Sequence, residues 1–228
     1  MARLGRYFSK GQPLHVIHRG INGKTVFHDD DDFAQYRDWL IEAADDYGAK
    51  VHAYVLMPNH LHLLVTPSDA DSLPRTMQSL GRRYVRYVNF GTKRRGTLWD
   101  GRYRAAPIES EPYFLMCSRY IELNPVRARK VKNPRDYKWS SYKAHALGVE
   151  DKLVSDHAQY RMLGRSEAER QSSYRQEFRS PLPEDFVDAL RTATNGGWAL
   201  GGERFKRQIA KASKRRATPL PQGRKAGS

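Results

Sequence analysis

The run Met57-Pro58-Asn59-His60-Leu61-His62-Leu63-Leu64-Val65 constrains the fold of this chain more than any other segment. Apolar residues on both sides of Pro58-Asn59 predict two strands, Val51 to Met57 and His60 to Thr66, joined by a tight hairpin. Residues two apart on a strand share a face, so His60 and His62 project together and Leu61 turns into the core behind them. Such a hairpin needs further partners to bury its apolar face.

The flanking segments supply them. Leu14-His15-Val16-Ile17-His18-Arg19 alternates as a first strand and ends at Gly20. Asp29 to Asp32 precede Phe33, Tyr36, Leu40 and Tyr47, whose spacing is helical, and Gly48 ends that helix. Acids at the start of a helix complement its positive end, so this block reads as a cap rather than as a metal site. Leu73, Met77, Leu80, Tyr84 and Val88 repeat at helical spacing, and Arg102-Tyr103-Arg104 opens a fourth strand. Ser110-Glu111-Pro112 starts a third helix that runs through Tyr120, with Pro125 stopping it near Asn124. The order strand, helix, strand, strand, helix, strand, helix predicts an α+β fold, a ferredoxin-like split βαβ antiparallel sheet with helices on one face.

After about Ala128 the character changes to a small helical C-terminal region. Trp139-Ser140-Ser141-Tyr142 reads as a packed anchor and Ser166-Glu167-Ala168-Glu169 as a capping box. Phe186 to Thr194 and Glu203 to Lys214 make two short helices around Asn195-Gly196-Gly197; a helix-turn-helix and ordinary packing both fit. The expected division is a catalytic domain over 1–130, a helical region over 131–213 with a potential role in DNA binding, and a disordered basic tail over 214–228.

Charge narrows the class of partner. Forty Lys and Arg against 25 Asp and Glu give a formal net charge of +15 and a pI near 10.0, which favours polyanions. From 75 to 104 there are nine cations, Arg75, Arg82, Arg83, Arg86, Lys93, Arg94, Arg95, Arg102 and Arg104, against the single acid Asp100. Tyr84, Tyr87, Trp99 and Tyr103 are interleaved with them, offering stacking surface beside counter-charge, so these nine are the expected DNA-binding residues. Cys117 is the only cysteine, which removes any intrachain disulfide. No apolar run approaches the roughly 20 residues of a membrane span and the N-terminus lacks a secretory core, so the expected location is the cytoplasm.

Two same-facing imidazoles make half of a metal site, although His-x-His on a strand is more often structural. Asn124 offers an oxygen that would complete a set for Mg²⁺ or Mn²⁺; nitrogen-rich ligation suits Mn²⁺ or Zn²⁺ better than Mg²⁺. Tyr120 stands one turn before Asn124 and would be a nucleophile or a plain core aromatic on its own evidence. A phenol has an ordinary pKa of about 10, so it needs nearby positive charge to act, and Arg119 is its nearest cation in sequence.

Three segments together carry a resemblance: His15-Val16-Ile17-His18-Arg19-Gly20, Tyr54-Val55-Leu56-Met57-Pro58-Asn59-His60-Leu61-His62, and Arg119-Tyr120-Ile121-Glu122-Leu123-Asn124-Pro125-Val126-Arg127-Ala128. From about Leu14 to Leu147 the chain resembles the HUH single-tyrosine transposases, most closely the branch associated with repetitive extragenic palindromes in bacteria. The resemblance implies Tyr120 as the catalytic nucleophile, with His60, His62 and Asn124 holding a divalent metal, Mg²⁺ or Mn²⁺ rather than Zn²⁺. It implies cleavage of single-stranded DNA beside imperfect hairpins through a 5′-phosphotyrosine link, by a monomer or homodimer. Many insertion-sequence relatives carry Gln at the position of Asn124, and Asn matches the palindrome-associated branch. Two other readings stand beside it: a hairpin-DNA-binding protein without catalysis, and a metal-dependent nuclease that attacks with water.

Overall fold

In the computed structural model, which describes residues 10–219, the expected hairpin forms one side of a four-stranded antiparallel sheet, its second strand central and its first at the edge. Its strands are β1 (Leu14–Arg19), β2 (Ala49–Met57), β3 (His60–Pro67) and β4 (Arg104–Pro107), in the order β2-β3-β1-β4. β4 starts at Arg104, later than Arg102. With α1 (Asp30–Tyr47) and α2 (Ser72–Gly91) as the two crossovers, this is the ferredoxin-like split βαβ arrangement. Asp29 caps α1 by accepting from the Asp32 N–H, and Gly48 ends it at φ +68°, where any side chain would be strained.

α1 and α2 pack together on one face over Leu14, Val16, Tyr54, Leu56, Leu61, Leu63 and Val65. The opposite face is not left open. Helix α3 (Ser110–Glu122) lies on it, followed by α4 (Asn124–Arg127), α5 (Tyr142–Leu147), α6 (Ala158–Arg161), α7 (Glu167–Glu177), α8 (Glu184–Gly196) and α9 (Glu203–Ser213). Phe114, Cys117, Tyr120 and Ile121 of α3 meet Phe186, Val187, Leu190 and Ala193 of α8 over Ala53, Val55, Met57, Leu64 and Ala106 of the sheet. Helices therefore cover both faces, because strands β1 to β4 carry apolar residues at odd and even positions alike.

The region after Ala128 is built into this core rather than appended to it. Leu56 N–H bonds the Trp139 carbonyl and Ser141 N–H bonds the Tyr54 carbonyl, so the expected anchor runs along the free edge of β2. Helix α8 packs on the sheet through a buried face of Phe186, Val187, Leu190, Ala193 and Thr194. Part of the stretch expected as a tail over 214–228 is packed. Arg215 donates to the Gly197 carbonyl at 2.7 Å and Ala217 is buried, while residues 220–228 lie outside those described. Among the described residues no helix is long and apolar enough to cross a membrane.

A second polar element locks α3 in place. The fully buried Glu122 accepts from Ser141 (2.6 Å), His145 (2.9 Å) and Tyr174 (2.8 Å), which come from the β2 edge, α5 and α7. Three donors on one carboxyl group satisfy it away from water. This residue is the last of α3 and lies between Tyr120 and Asn124 in sequence, so the network fixes the end of the helix that carries Tyr120 and the start of α4, which Asn124 opens.

Candidate active site

The register of β1 on β3 decides what surrounds the two histidines. Ile17 lies opposite His62 and Arg19 opposite His60, and paired residues of an antiparallel ladder point to the same face. His15, Ile17, Arg19, His60 and His62 thus share the α3 face, and Arg104, opposite Ile17 on β4, joins them.

Tyr120 reaches this group from above. Its ring meets the His62 ring edge-on at 5.7 Å and the His15 ring at 5.8 Å, and the residue is 6% exposed. Helix α3 stops at Glu122 and Asn124 opens α4, so Tyr120 and Asn124 do not share one uninterrupted helix as their spacing suggested. The break still brings Asn124 Oδ1 to 3.2 Å from His60 Nε2. Arg119 turns away, with its guanidinium donating to the Ser180 carbonyl at 2.5 Å. The cation beside the phenol is Arg127, whose guanidinium carbon stands 4.8 Å from the Tyr120 ring centre.

The donor set fits a small divalent ion. His60 Nδ1 lies 2.7 Å from Asn59 Oδ1, an acceptor, so the ring proton belongs there and Nε2 keeps its lone pair. In that tautomer the lone pair faces the Asn124 oxygen, an arrangement that a cation between them would satisfy. Adjacent ligands of an octahedral ion at 2.0–2.1 Å are about 3 Å apart, so the observed gap suits a shared cation. His62 has one nitrogen engaged by His15 at 2.9 Å and one remaining. Among the described residues no group of three His, Cys, Asp or Glu could hold a metal, so a site with three protein ligands here would take its third from the Asn124 amide.

Burial holds these imidazoles uncharged. His60 is pushed down to about 4, first by burial and then by the Arg19 charge, against the raising effect of Asn124. His62 is driven well below the ordinary 6.5 by burial and then by His15, His60, Arg19 and Arg127. His15 falls to about 3 through burial. His52, outside the site, falls to about 4, again chiefly by burial. Neutral rings are ligands, charged ones are not. The same shifts set a stability profile. Below pH 6.5 the unfolded chain takes up protons that the folded chain refuses, so stability falls as pH drops from about 6.5 toward 4. Each of these histidines contributes up to about 1.4 kcal/mol per pH unit in that window. Urea midpoints of the metal-free protein should be level from pH 7 to 8 and fall steeply between 6 and 4.5; a flat profile there contradicts the burial of these rings.

The nine expected DNA-binding residues divide between two surfaces. Arg75 stacks over Tyr47 and Arg83 over Trp39, with Arg83 also paired to Glu42 at 2.6 Å; all of this lies in the α1/α2 layer. Arg82 and Arg86 share that helix, so the sheet separates these four arginines from Tyr120. Sequence proximity to the histidines misplaced them. Lys93, Arg94 and Arg95 form the turn after α2, with Arg94 donating to the Thr97 carbonyl. Arg102 and Arg104 do border the site: with Ile17, Arg19, Asp100 and Asn195 they line a polar recess of about 110 Å³. His15, Arg19 and Arg127, and Thr194 with its hydroxyl 2.7 Å from His15 Nδ1, were missed by sequence reasoning. Alternation along β1 could have found His15 and Arg19, which share a parity with Ile17.

Residues 9–124, more than half of the chain, match the family model described as "Transposase IS200 like". No curated protein matches the chain. Among solved structures it is similar to a REP-associated tyrosine transposase bound to a REP hairpin, with 19% identity and a TM-score of 0.56, covering 70% of this chain and 96% of that one. A putative transposase from Deinococcus radiodurans is 24% identical, covers 53% of this chain and 96% of its own, and has a TM-score of 0.38. The first of these shares the fold. With the family model spanning His60, His62, Tyr120 and Asn124, this protein belongs to the IS200-like transposase family.

Proposed function

We propose that this protein is a palindrome-associated transposase that nicks and rejoins single-stranded hairpin DNA, with Tyr120 as nucleophile. The observation that carries the reading is the convergence of His60 and His62 of β3, Tyr120 of α3 and Asn124 of α4 in one place, with His60 Nε2 3.2 Å from Asn124 Oδ1. His60, His62 and Asn124 would hold Mg²⁺ or Mn²⁺, which when bound supplies Lewis acidity to a phosphoryl oxygen. Tyr120 oxygen attacks phosphorus, the bond to the 3′ oxygen breaks, and a 5′-phosphotyrosine forms with a free 3′-hydroxyl left behind. The Arg127 guanidinium, 4.8 Å from the Tyr120 ring centre, places positive charge beside the attacking residue and the phosphate it meets. The aryl ester conserves the energy of the broken phosphodiester, so the 3′-hydroxyl of another strand can reverse the step. Incubation of hairpin DNA with the protein and Mn²⁺, followed by a denaturing gel, tests this: label should migrate with the protein. Cut DNA with no attached protein supports hydrolysis by water, and uncut DNA supports a binding protein.

His60→Ala and His62→Ala should each lower Mn²⁺ affinity at least about 100-fold, and Asn124→Ala less, because water substitutes for an amide oxygen better than for an imidazole. Calorimetry checks the order; unchanged affinity in the double histidine variant removes the metal assignment.

The two basic surfaces should separate in the same way. Arg19→Glu and Arg104→Glu flank the reacting phosphate and should cut both affinity and strand cleavage. Arg82→Glu and Arg86→Glu lie behind the sheet and should only reduce salt-sensitive affinity, each lost phosphate contact lowering the slope of log affinity against log salt by roughly 0.7. Equal loss of single-turnover cleavage in the second pair would contradict this placement.

A further inference from the structure

We propose that Thr194 of α8 and His15 of β1 form a relay that orders the proton on His62 and turns its Nε2 lone pair toward the metal position. The inference rests on the metal-site reading above and adds two positioning residues to it.

The relay follows from counting protons. Thr194 donates its only hydroxyl proton to the Leu190 carbonyl at 2.8 Å, one turn back in α8. Its oxygen lies 2.7 Å from His15 Nδ1 and is left to accept, so His15 carries its proton on Nδ1. His15 is 1% exposed, and among the described residues its two ring nitrogens meet Thr194 and His62 and no carboxylate bonds to it. A second proton there would be an uncompensated buried charge, so His15 Nε2 keeps a lone pair. His62 Nδ1, 2.9 Å away, must then donate. The two rings are near parallel, within 7° at a centroid separation of 5.0 Å, and His15 Nε2 stands within bonding distance of His62 Nδ1. A neutral imidazole with its proton on Nδ1 has its free lone pair on Nε2. His60 is ordered the same way by Asn59, so both histidines present the same nitrogen.

The reverse order would disable the site. If Thr194 gave its proton to His15, every bond in the chain would turn round and His62 Nε2 would carry a hydrogen. Thr194 lies 70 residues beyond the end of the family-matched segment, so the metal ligand is tuned by the C-terminal region of this chain.

Long-range ¹H–¹⁵N correlation of the metal-free full-length protein reads the tautomer of each histidine directly. The expected spectrum of the unmodified protein shows His15 and His62 both protonated on Nδ1. Thr194→Val keeps the shape but offers no acceptor; His15 should then donate from Nε2, and His62 should move toward the Nε2–H form. Mn²⁺ affinity by calorimetry should fall about 10-fold, a typical loss for a residue supporting a metal ligand. Thr194→Ser should restore both readings. A His62 protonated on Nε2 in the unmodified protein overturns the relay, as does a valine variant with unchanged tautomer and affinity. The tautomer measurement needs neither a variant nor a metal. Failure of the unmodified protein to bind Mn²⁺ overturns the metal-site reading instead, and with it the role given to the relay.

Discussion

Tyr120→Phe should abolish covalent attachment to DNA and lower strand cleavage by at least about 10⁴-fold, the scale seen when a nucleophile is removed from a covalent mechanism. Hairpin binding should change less than about threefold, since one oxygen is lost and packing volume is kept. The ring contacts with His15, His62 and Arg127 survive in phenylalanine, so neither the fold nor the donor set should shift. Residual cleavage near the original rate would assign the attack to water or to another side chain. Single-turnover assays with labelled hairpin DNA separate these cases.

The second large effect is on stability. Glu122→Ala should cost about 3–5 kcal/mol, because it strands the donors of Ser141, His145 and Tyr174 in a dry interior. Burial and the neighbouring Glu122 also push the Tyr174 hydroxyl well above its ordinary range, so it stays a donor. Glu122→Gln keeps an acceptor oxygen and should cost roughly half as much. Urea unfolding of both variants measures this. A cost below about 1 kcal/mol for alanine would mean that the network does not hold the end of α3.

The sheet was legible because its signals are local. The Pro58-Asn59 turn, the Asp29 cap and the Gly48 stop lie beside the residues they organise, and each element formed within a few residues of its expected place. The second face was not legible. Phe114 and Cys117 of α3 complement Leu190 and Ala193 of α8 across some 70 residues, and no periodicity within either helix names its partner. The same distinction runs through the site. His60, His62, Tyr120 and Asn124 stand in short motifs, and the structure brings these four together. His15 and Thr194 matter only through the register of β1 on β3 and the seat of α8, both of them tertiary facts. Arg82 and Arg86 show the converse: close to the histidines in sequence, they lie on α2, across the sheet from Tyr120.

The central claim is that Tyr120 oxygen becomes esterified to DNA. Peptide mapping of the protein trapped on a hairpin cleaved in Mn²⁺ measures this directly. The expected result is one modified peptide, containing Tyr120 and carrying a 5′-linked nucleotide remnant, absent when Tyr120→Phe is used. A remnant on any other residue, or complete cleavage with every tyrosine unmodified, would contradict it.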